Sequence, residues 1–155
     1  MRRAGLWMGF ALAALVPLSA MAEDQHVAVP ANAVKWAAAP PALPKGAQIA
    51  VLYGDPGKEG PFVVRLKFPA GYKIPPHMHP SDENVTVISG TLHLEMGDKI
   101  DPKQGNALTA GSFVHMPKGT HHYGWVAQPS VVQINGTGPF VITYINSADD
   151  PRKTN

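Results

Sequence analysis

The chain has 155 residues with 13 Lys+Arg against 11 Asp+Glu, and Arg2 and Arg3 alone account for the formal surplus of +2. The remaining bases are balanced by acids and, Arg152-Lys153 apart, lie singly, which disfavours a nucleic-acid binder, since such proteins carry a surplus or a clustered stripe of Lys and Arg. There are no cysteines, so disulfides, thiolate zinc sites, iron–sulfur clusters and cysteine nucleophiles are excluded, and oxygen and nitrogen ligands remain.

Arg2-Arg3, the uncharged apolar run that follows, and Ala20-Met21-Ala22 have the order of a secretory signal. Residues 1–22 are therefore expected to be removed, leaving a mature chain from Glu23 in a periplasmic or secreted location, with no membrane attachment after cleavage. An uncleaved anchor is the weaker reading, because Pro17 and the small residues before Glu23 fit cleavage better. Residues 23–46 are rich in Ala and Pro and have no sustained period, which predicts an irregular extended arm. Trp36 is expected to fasten that arm to the domain. From 47 to 148 short β-rich runs alternate with Gly and Pro: Ile49–Tyr53, Phe62–Phe68, Val85–Ile88, Thr91–Met96, Ser112–Met116, His122–Val126, Val131–Ile134 and Phe140–Ile145. Strands this short and this regularly spaced predict one all-β domain, a sandwich or barrel. Residues 149–155 read as a polar, frayed tail.

The stretch Pro75-Pro76-His77-Met78-His79-Pro80-Ser81-Asp82-Glu83 is turn-rich and carries the most informative chemistry. His77 and His79 are two apart, so on an extended strand both rings project from one face and can share an ion. The two prolines hold the approach extended. Beyond Pro80, Glu83 can return along the next strand and offer a carboxylate oxygen. A further imidazole would come from His121 or His122. Three imidazoles and a carboxylate suit one divalent first-row ion and leave positions open for water or substrate.

These residues resemble the cupin superfamily. Its first motif, Gly-x5-His-x-His-x3-Glu-x6-Gly, is met by Gly71, His77, His79, Glu83 and Gly90. Its second, Gly-x5-Pro-x-Gly-x2-His-x3-Asn, is met by Gly111, Pro117, Gly119 and His122, with Val126 in place of the final Asn. The interval from Thr91 to Ala110 falls in the family's short range. The resemblance implies a jelly-roll-like barrel of six to eight strands. It also implies metal ligation by His77, His79, Glu83 and His122. Because adjacent strand residues face opposite ways, His121 is expected to lie outside when His122 lies inside. A one-residue slip at the Gly119-Thr120 turn would exchange them.

Other residues carry less. His93 alternates with Leu92, Leu94 and Met96 and is expected on the outer side. His115 reads either as an accessory to the site or as a packed or rim histidine. Tyr72, Phe113, Tyr123 and Trp125 could line a ligand pocket or simply fill the core. His26 has no expected role. The arm is compatible with packing across a homodimer and with folding back onto its own barrel.

The resemblance does not supply a substrate, since cupins share a fold far more than a reaction. It implies one divalent transition metal (Fe, Mn, Zn, Ni or Cu) acting on a small organic molecule. Oxygenase chemistry on an enolate or catecholate is the first expectation. Metal-assisted lyase, isomerase or decarboxylase chemistry is the second, with Glu83 as the catalytic proton carrier. A noncatalytic periplasmic metal- or ligand-binding module, or a sensor, is the alternative from another class.

Overall fold

Strict alternation of apolar and polar side chains decides most of this architecture. In the computed structural model, which describes residues 26–153, Phe62, Val64, Leu66 and Phe68 of one nine-residue strand all point inward. Val132 and Ile134 of a second long strand do the same. Each such side chain contributes about 1.5–3 kcal/mol on burial, so the face they share is strongly specified.

Eleven strands form among the described residues: β1 (Ala37–Ala38), β2 (Gln48–Tyr53), β3 (Gly60–Phe68), β4 (Lys73–Met78), β5 (Glu83–Ser89), β6 (Thr91–Met96), β7 (Asn106–Thr109), β8 (Phe113–Met116), β9 (His122–Trp125), β10 (Ser130–Gly138) and β11 (Thr143–Tyr144). They make two antiparallel sheets, β1-β2-β3-β10-β5-β8 and β11-β4-β9-β6-β7, packed face to face as a barrel-like sandwich. The core lies between them and includes Phe62, Phe68, Val87, Leu92 and Val132. No helix among the described residues is long and apolar enough to cross a membrane. The expected signal segment, residues 1–22, lies outside the described residues.

Several elements depart from expectation. The stretch before His79 is extended as the two prolines imply, forming strand β4, whereas β7, which pairs with β6 inside the interval between the motifs, is not among the expected strands. The run Phe140–Ile145 keeps only β11 as strand. Phe140, Val141 and Ile142 instead cross the site as an irregular strap. The arm is less irregular than its composition implies. After a 3-10 turn at Ala31–Ala33 it adds β1 to the edge of a sheet, with Ala37 opposite Ile49. Trp36 fastens it as expected, half-buried with the Lys67 ammonium 4.2 Å from its ring centre.

Two buried tyrosines complete that attachment. Tyr72 Oη donates to Pro44 O at 2.6 Å and Tyr144 Oη to Ala42 O at 2.8 Å. Burial pushes the Tyr144 phenol up to about 12 and raises Tyr72 as well, so both remain donors. The arm thus folds onto its own barrel. The tail is also ordered as far as Lys153: a 3-10 turn at Ser147–Asp149 leads to Asp150, which is 7% exposed and paired with Arg152.

A candidate metal centre inside the barrel

His77 lies on β4 and His122 on β9, directly opposite one another in the ladder. Opposed residues of an antiparallel pair share a face, so both imidazoles enter the barrel together. That match depends on an irregularity. Lys73 pairs Trp125 and Ile74 pairs Gly124, but the register shifts by one before His77 meets His122. An unbroken ladder would place His77 opposite His121. The shift falls at Pro75-Pro76, two consecutive residues without an N–H to donate, where a ladder is easily interrupted. The proline pair therefore aligns the two histidines besides holding the strand extended.

His79 follows the end of β4 on the same side as His77. Its carbonyl accepts from Gly119 N at 2.9 Å, which ties the two motifs together. Gly119 has φ +76° there, a backbone conformation that favours glycine. Glu83 opens β5 in the register of Val85 and Val87, so an acid occupies a position that the strand otherwise gives to the core. Gly90, at φ +77°, turns β5 directly into β6, and a Cβ there would collide with Ser130 and the Pro129 carbonyl.

The side-chain nitrogens of His77, His79 and His122 lie within 4.8 Å of one another. Each ring is oriented by a backbone carbonyl accepting from Nδ1: Pro75 O at 2.7 Å for His77, Val141 O at 2.9 Å for His79 and Thr120 O at 2.9 Å for His122. A carbonyl accepts only, so each Nδ1 carries a proton, and in the neutral ring Nε2 is the atom that offers a lone pair. Burial, together with the neighbouring His122 and His79 rings, holds the His77 imidazole well below its ordinary value. Burial lowers His79 as well. Both are therefore neutral at pH 7. Phe140 stacks on His79 at 4.0 Å between centroids and 12° between planes, which fixes that ring further.

Glu83 Oε2 lies 3.2 Å from His122 Nε2 and 3.7 Å from His79 Nε2. With the neutral His79 tautomer set as above, acceptor faces acceptor across the longer gap. Neither Glu83 Oε2 nor His79 Nε2 has a hydrogen-bond partner, and both are buried. Such groups carry a full desolvation penalty unless a cation or proton fills the space between them. The donor set, nitrogen and oxygen with no sulfur, fits a divalent transition ion. The carbonyl partners of the three Nδ1 atoms are the outer contacts that such a site needs.

The cluster opens into a cavity of about 320 Å³ whose walls are mainly aliphatic, with Leu66, Ile74, Leu92 and Ile134 among them and Phe68 and Phe140 as its aromatic residues. None of Tyr72, Phe113, Tyr123 and Trp125 reaches it. Tyr72 is a core residue stacked on Phe68, and Phe113 is 61% exposed. Tyr123 and Trp125 alternate with His122 and so face outward, where the loop between β6 and β7 covers them: Asp101 N donates to Tyr123 Oη, and Gly105 sits against the Trp125 ring. Of the two readings open for these rings, pocket lining does not hold, and Tyr72 fills the core.

The other histidines lie outside the cluster. His121 Nδ1 contacts Asp98 Oδ1 at 2.6 Å on the surface, and His93 stacks on Trp125. His115 is exposed and bonded to Asn84 Oδ1, so it takes no part in the site. His26 is exposed. Val126, in place of the motif's Asn, is buried and bridges to Gly71 and Tyr72 through its backbone. Sequence reasoning missed Phe140, Val141 and Arg152. Only their apolar or charged character was visible, without any spacing to tie them to the histidines.

Two facing antiparallel sheets with inward imidazoles at one end of an apolar cavity define a cupin. More specifically, residues 24–141 match the model of the ChrR Cupin-like domain, and the chain belongs to that family. No curated protein matches it by sequence. Among solved structures it is similar to the polyketide cyclase RemF from Streptomyces resistomycificus, at 17% identity and TM-score 0.64 over 82% of this chain and 90% of that one. It is also similar to a putative acetylacetone dioxygenase from Methylibium petroleiphilum, at 17% identity and TM-score 0.64 over 84% and 88% of the two chains. An RmlC-like cupin from Shewanella frigidimarina matches at 14% identity and TM-score 0.57 over 76% and 94%. At these identities the likeness concerns the fold.

Proposed function

We propose that His77, His79, His122 and Glu83 hold one divalent transition metal, and that the protein uses it to transform a small, largely apolar organic molecule bound in the adjoining cavity. One observation carries this reading: three buried imidazoles bring nitrogens within 4.8 Å of one another, beside a Glu83 carboxylate oxygen and a His79 Nε2 that are both buried without a hydrogen-bond partner. The descriptions of two similar structures, a polyketide cyclase and a putative acetylacetone dioxygenase, support an organic substrate able to form an enolate or a related oxyanion.

A bound ion supplies Lewis acidity and, when redox-active, electrons for dioxygen. The chain's own residues do the rest. The three carbonyl contacts at Nδ1 keep each imidazole in the ligating tautomer. The Glu83 carboxylate, 3.2 Å from His122 Nε2, is placed either to complete the ligand set or to take a proton from an acidic C–H or O–H of the substrate. The aliphatic walls exclude water and select molecules with apolar bodies. Oxygenase chemistry is the leading activity, followed by lyase, isomerase or decarboxylase chemistry. Export follows from the N-terminal segment, with cleavage after Ala22. Intact mass of periplasmic material beginning at Glu23 would establish it, and a dominant species beginning at Met1 would refute it.

The test is elemental analysis of the purified protein, then oxygen uptake and product formation across diketone, catechol, flavonol, oxalate and sulfonium-propionate substrates. One metal per chain with metal-dependent turnover is expected. Stoichiometric metal with no turnover of any class would favour a noncatalytic binding or sensing role.

A further inference from the structure

Apart from Glu83, the cavity wall contains one other ionised side chain, Arg152, and it comes from the C-terminal tail rather than from a barrel strand. Arg152 lines the cavity from its solvent side, with 41% of its side chain exposed. Arg152 is held. Its Nε donates to Asp150 Oδ1 at 2.7 Å and its Nη2 to Asp150 Oδ2 at 2.8 Å, a side-on bidentate pair, and Nη2 donates again to Ile142 O at 3.3 Å. Those bonds occupy Nε and both protons of Nη2. Both N–H groups of Nη1 remain, with no acceptor among the described residues.

The anchoring of this residue also connects it to the histidine cluster. Ile142, whose carbonyl fixes the guanidinium, adjoins Val141, whose carbonyl fixes His79, and both residues line the cavity beside Phe140. One three-residue strap therefore orients a candidate ligand of the metal and the guanidinium together. Asp150 is itself buried at 7% exposed, so the pair has a defined position.

We propose that Arg152 is a substrate-recognition residue of this cavity, with Nη1 donating to a carboxylate carried by the small apolar molecule that the cavity takes. The proposal rests on the reading of the cavity as the substrate site and narrows the substrate class to organic acids. The two N–H groups of one nitrogen diverge, so Nη1 meets a single carboxylate oxygen, and that charge-assisted bond is stronger than one to a neutral carbonyl.

The probes are 3-phenylpropanoate and its uncharged amide, titrated calorimetrically into metal-free and into zinc-loaded full-length protein. Wild type should favour the acid by about tenfold, the scale of a charge-assisted bond over a neutral one. Arg152→Gln should abolish that preference in both metal states while leaving amide affinity unchanged. Asp150→Asn, which removes the competing carboxylate, should keep or raise the preference. The double variant Asp150→Asn/Arg152→Gln retains a hydrogen-bonding pair without charge and should behave as Arg152→Gln; its melting temperature controls for folding. Equal preference for the acid in wild type and Arg152→Gln would overturn the proposal, and so would parallel loss of acid and amide binding. Because the metal-free titration needs no ion and no turnover, failure of the metal assignment would leave this result readable.

Discussion

Six histidines of this domain divide into an inner and an outer set, and the two have little in common beyond the imidazole. The inner three, His77, His79 and His122, are buried, and each Nδ1 meets a backbone carbonyl. The outer three are more accessible and rest on side chains: His121 on Asp98, His115 on Asn84 and His93 on Trp125. A carbonyl acceptor settles the tautomer and leaves a lone pair for an ion. An acid or amide partner at the surface leaves the ring exchanging with water. Residue type thus says little about these histidines; the partner at Nδ1 and the depth of burial say what each can do.

The largest separation of the two sets should come from deleting rings. His77→Ala/His79→Ala is expected to reduce bound metal from about one per chain to near zero by elemental analysis. His122→Ala should lose most of it, whereas His121→Ala and His115→Ala should retain it. Loss in His121→Ala with retention in His122→Ala would mean that the inner set is misassigned. Metal loading should also raise the melting temperature of the wild type but not of the double variant, since only a site formed in the folded state gains stability by mass action.

Glu83→Gln sharpens the comparison within the inner set. It keeps the shape and one acceptor oxygen but removes the charge, so metal affinity should fall by roughly 10–100-fold, the range seen when a site's supporting contacts are altered, and turnover should fall with it. Unchanged metal affinity and turnover would leave Glu83 as neither ligand nor proton carrier.

Acid titration probes His77 and His79 without mutation. His77 and His79 are held below 6.5 in the folded chain by burial. Below pH 6.5 the unfolded chain therefore binds more protons at these residues than the native one. The metal-free protein should be at full stability above that pH. It should lose stability progressively as the pH falls toward the depressed folded values. Chemical denaturation at pH 7.5 and pH 5.5 would check this. His77→Ala/His79→Ala should flatten the dependence.

The smaller effects lie at the periphery. Tyr144→Phe removes the bond to Ala42 that pins the arm beside the cavity, for an expected loss of about 0.5–1.5 kcal/mol. His121→Ala breaks an exposed pair with Asp98 and should change stability by no more than about 1 kcal/mol. A larger cost for His121→Ala than for Tyr144→Phe would reverse the ranking of outer and inner contacts.

The legible part of the site was the part encoded by strand period. His77 and His79 two apart, and His122 three beyond Gly119, have directions that follow from local alternation once strands are assumed; the ladder sets His77 opposite His122, and all three rings are buried. Other contacts were illegible because they join residues far apart in the chain. The stacking of Phe140 on His79, the Val141 carbonyl 62 residues from the ring it orients, and the return of Arg152 to the cavity exist only after the sheets close. Composition misled in two places. The Pro- and Ala-rich arm gains β1 by pairing with β2, and the polar tail packs because Arg152 neutralises buried Asp150.

By itself, then, the sequence determined the all-β class, the shared direction of His77 and His79 and the glycine turns that bound each motif. These follow from residue-level limits on backbone angles and from the two-residue strand repeat, which act over a few positions. Tertiary structure decided which aromatic rings face the cavity, which carbonyl holds each imidazole and where the one cation of the wall comes from. Those outcomes depend on register between distant strands. The one-residue shift at Pro75-Pro76 places His122 rather than His121 across from His77, and the spacing of residues along a single strand carries no information about that pairing.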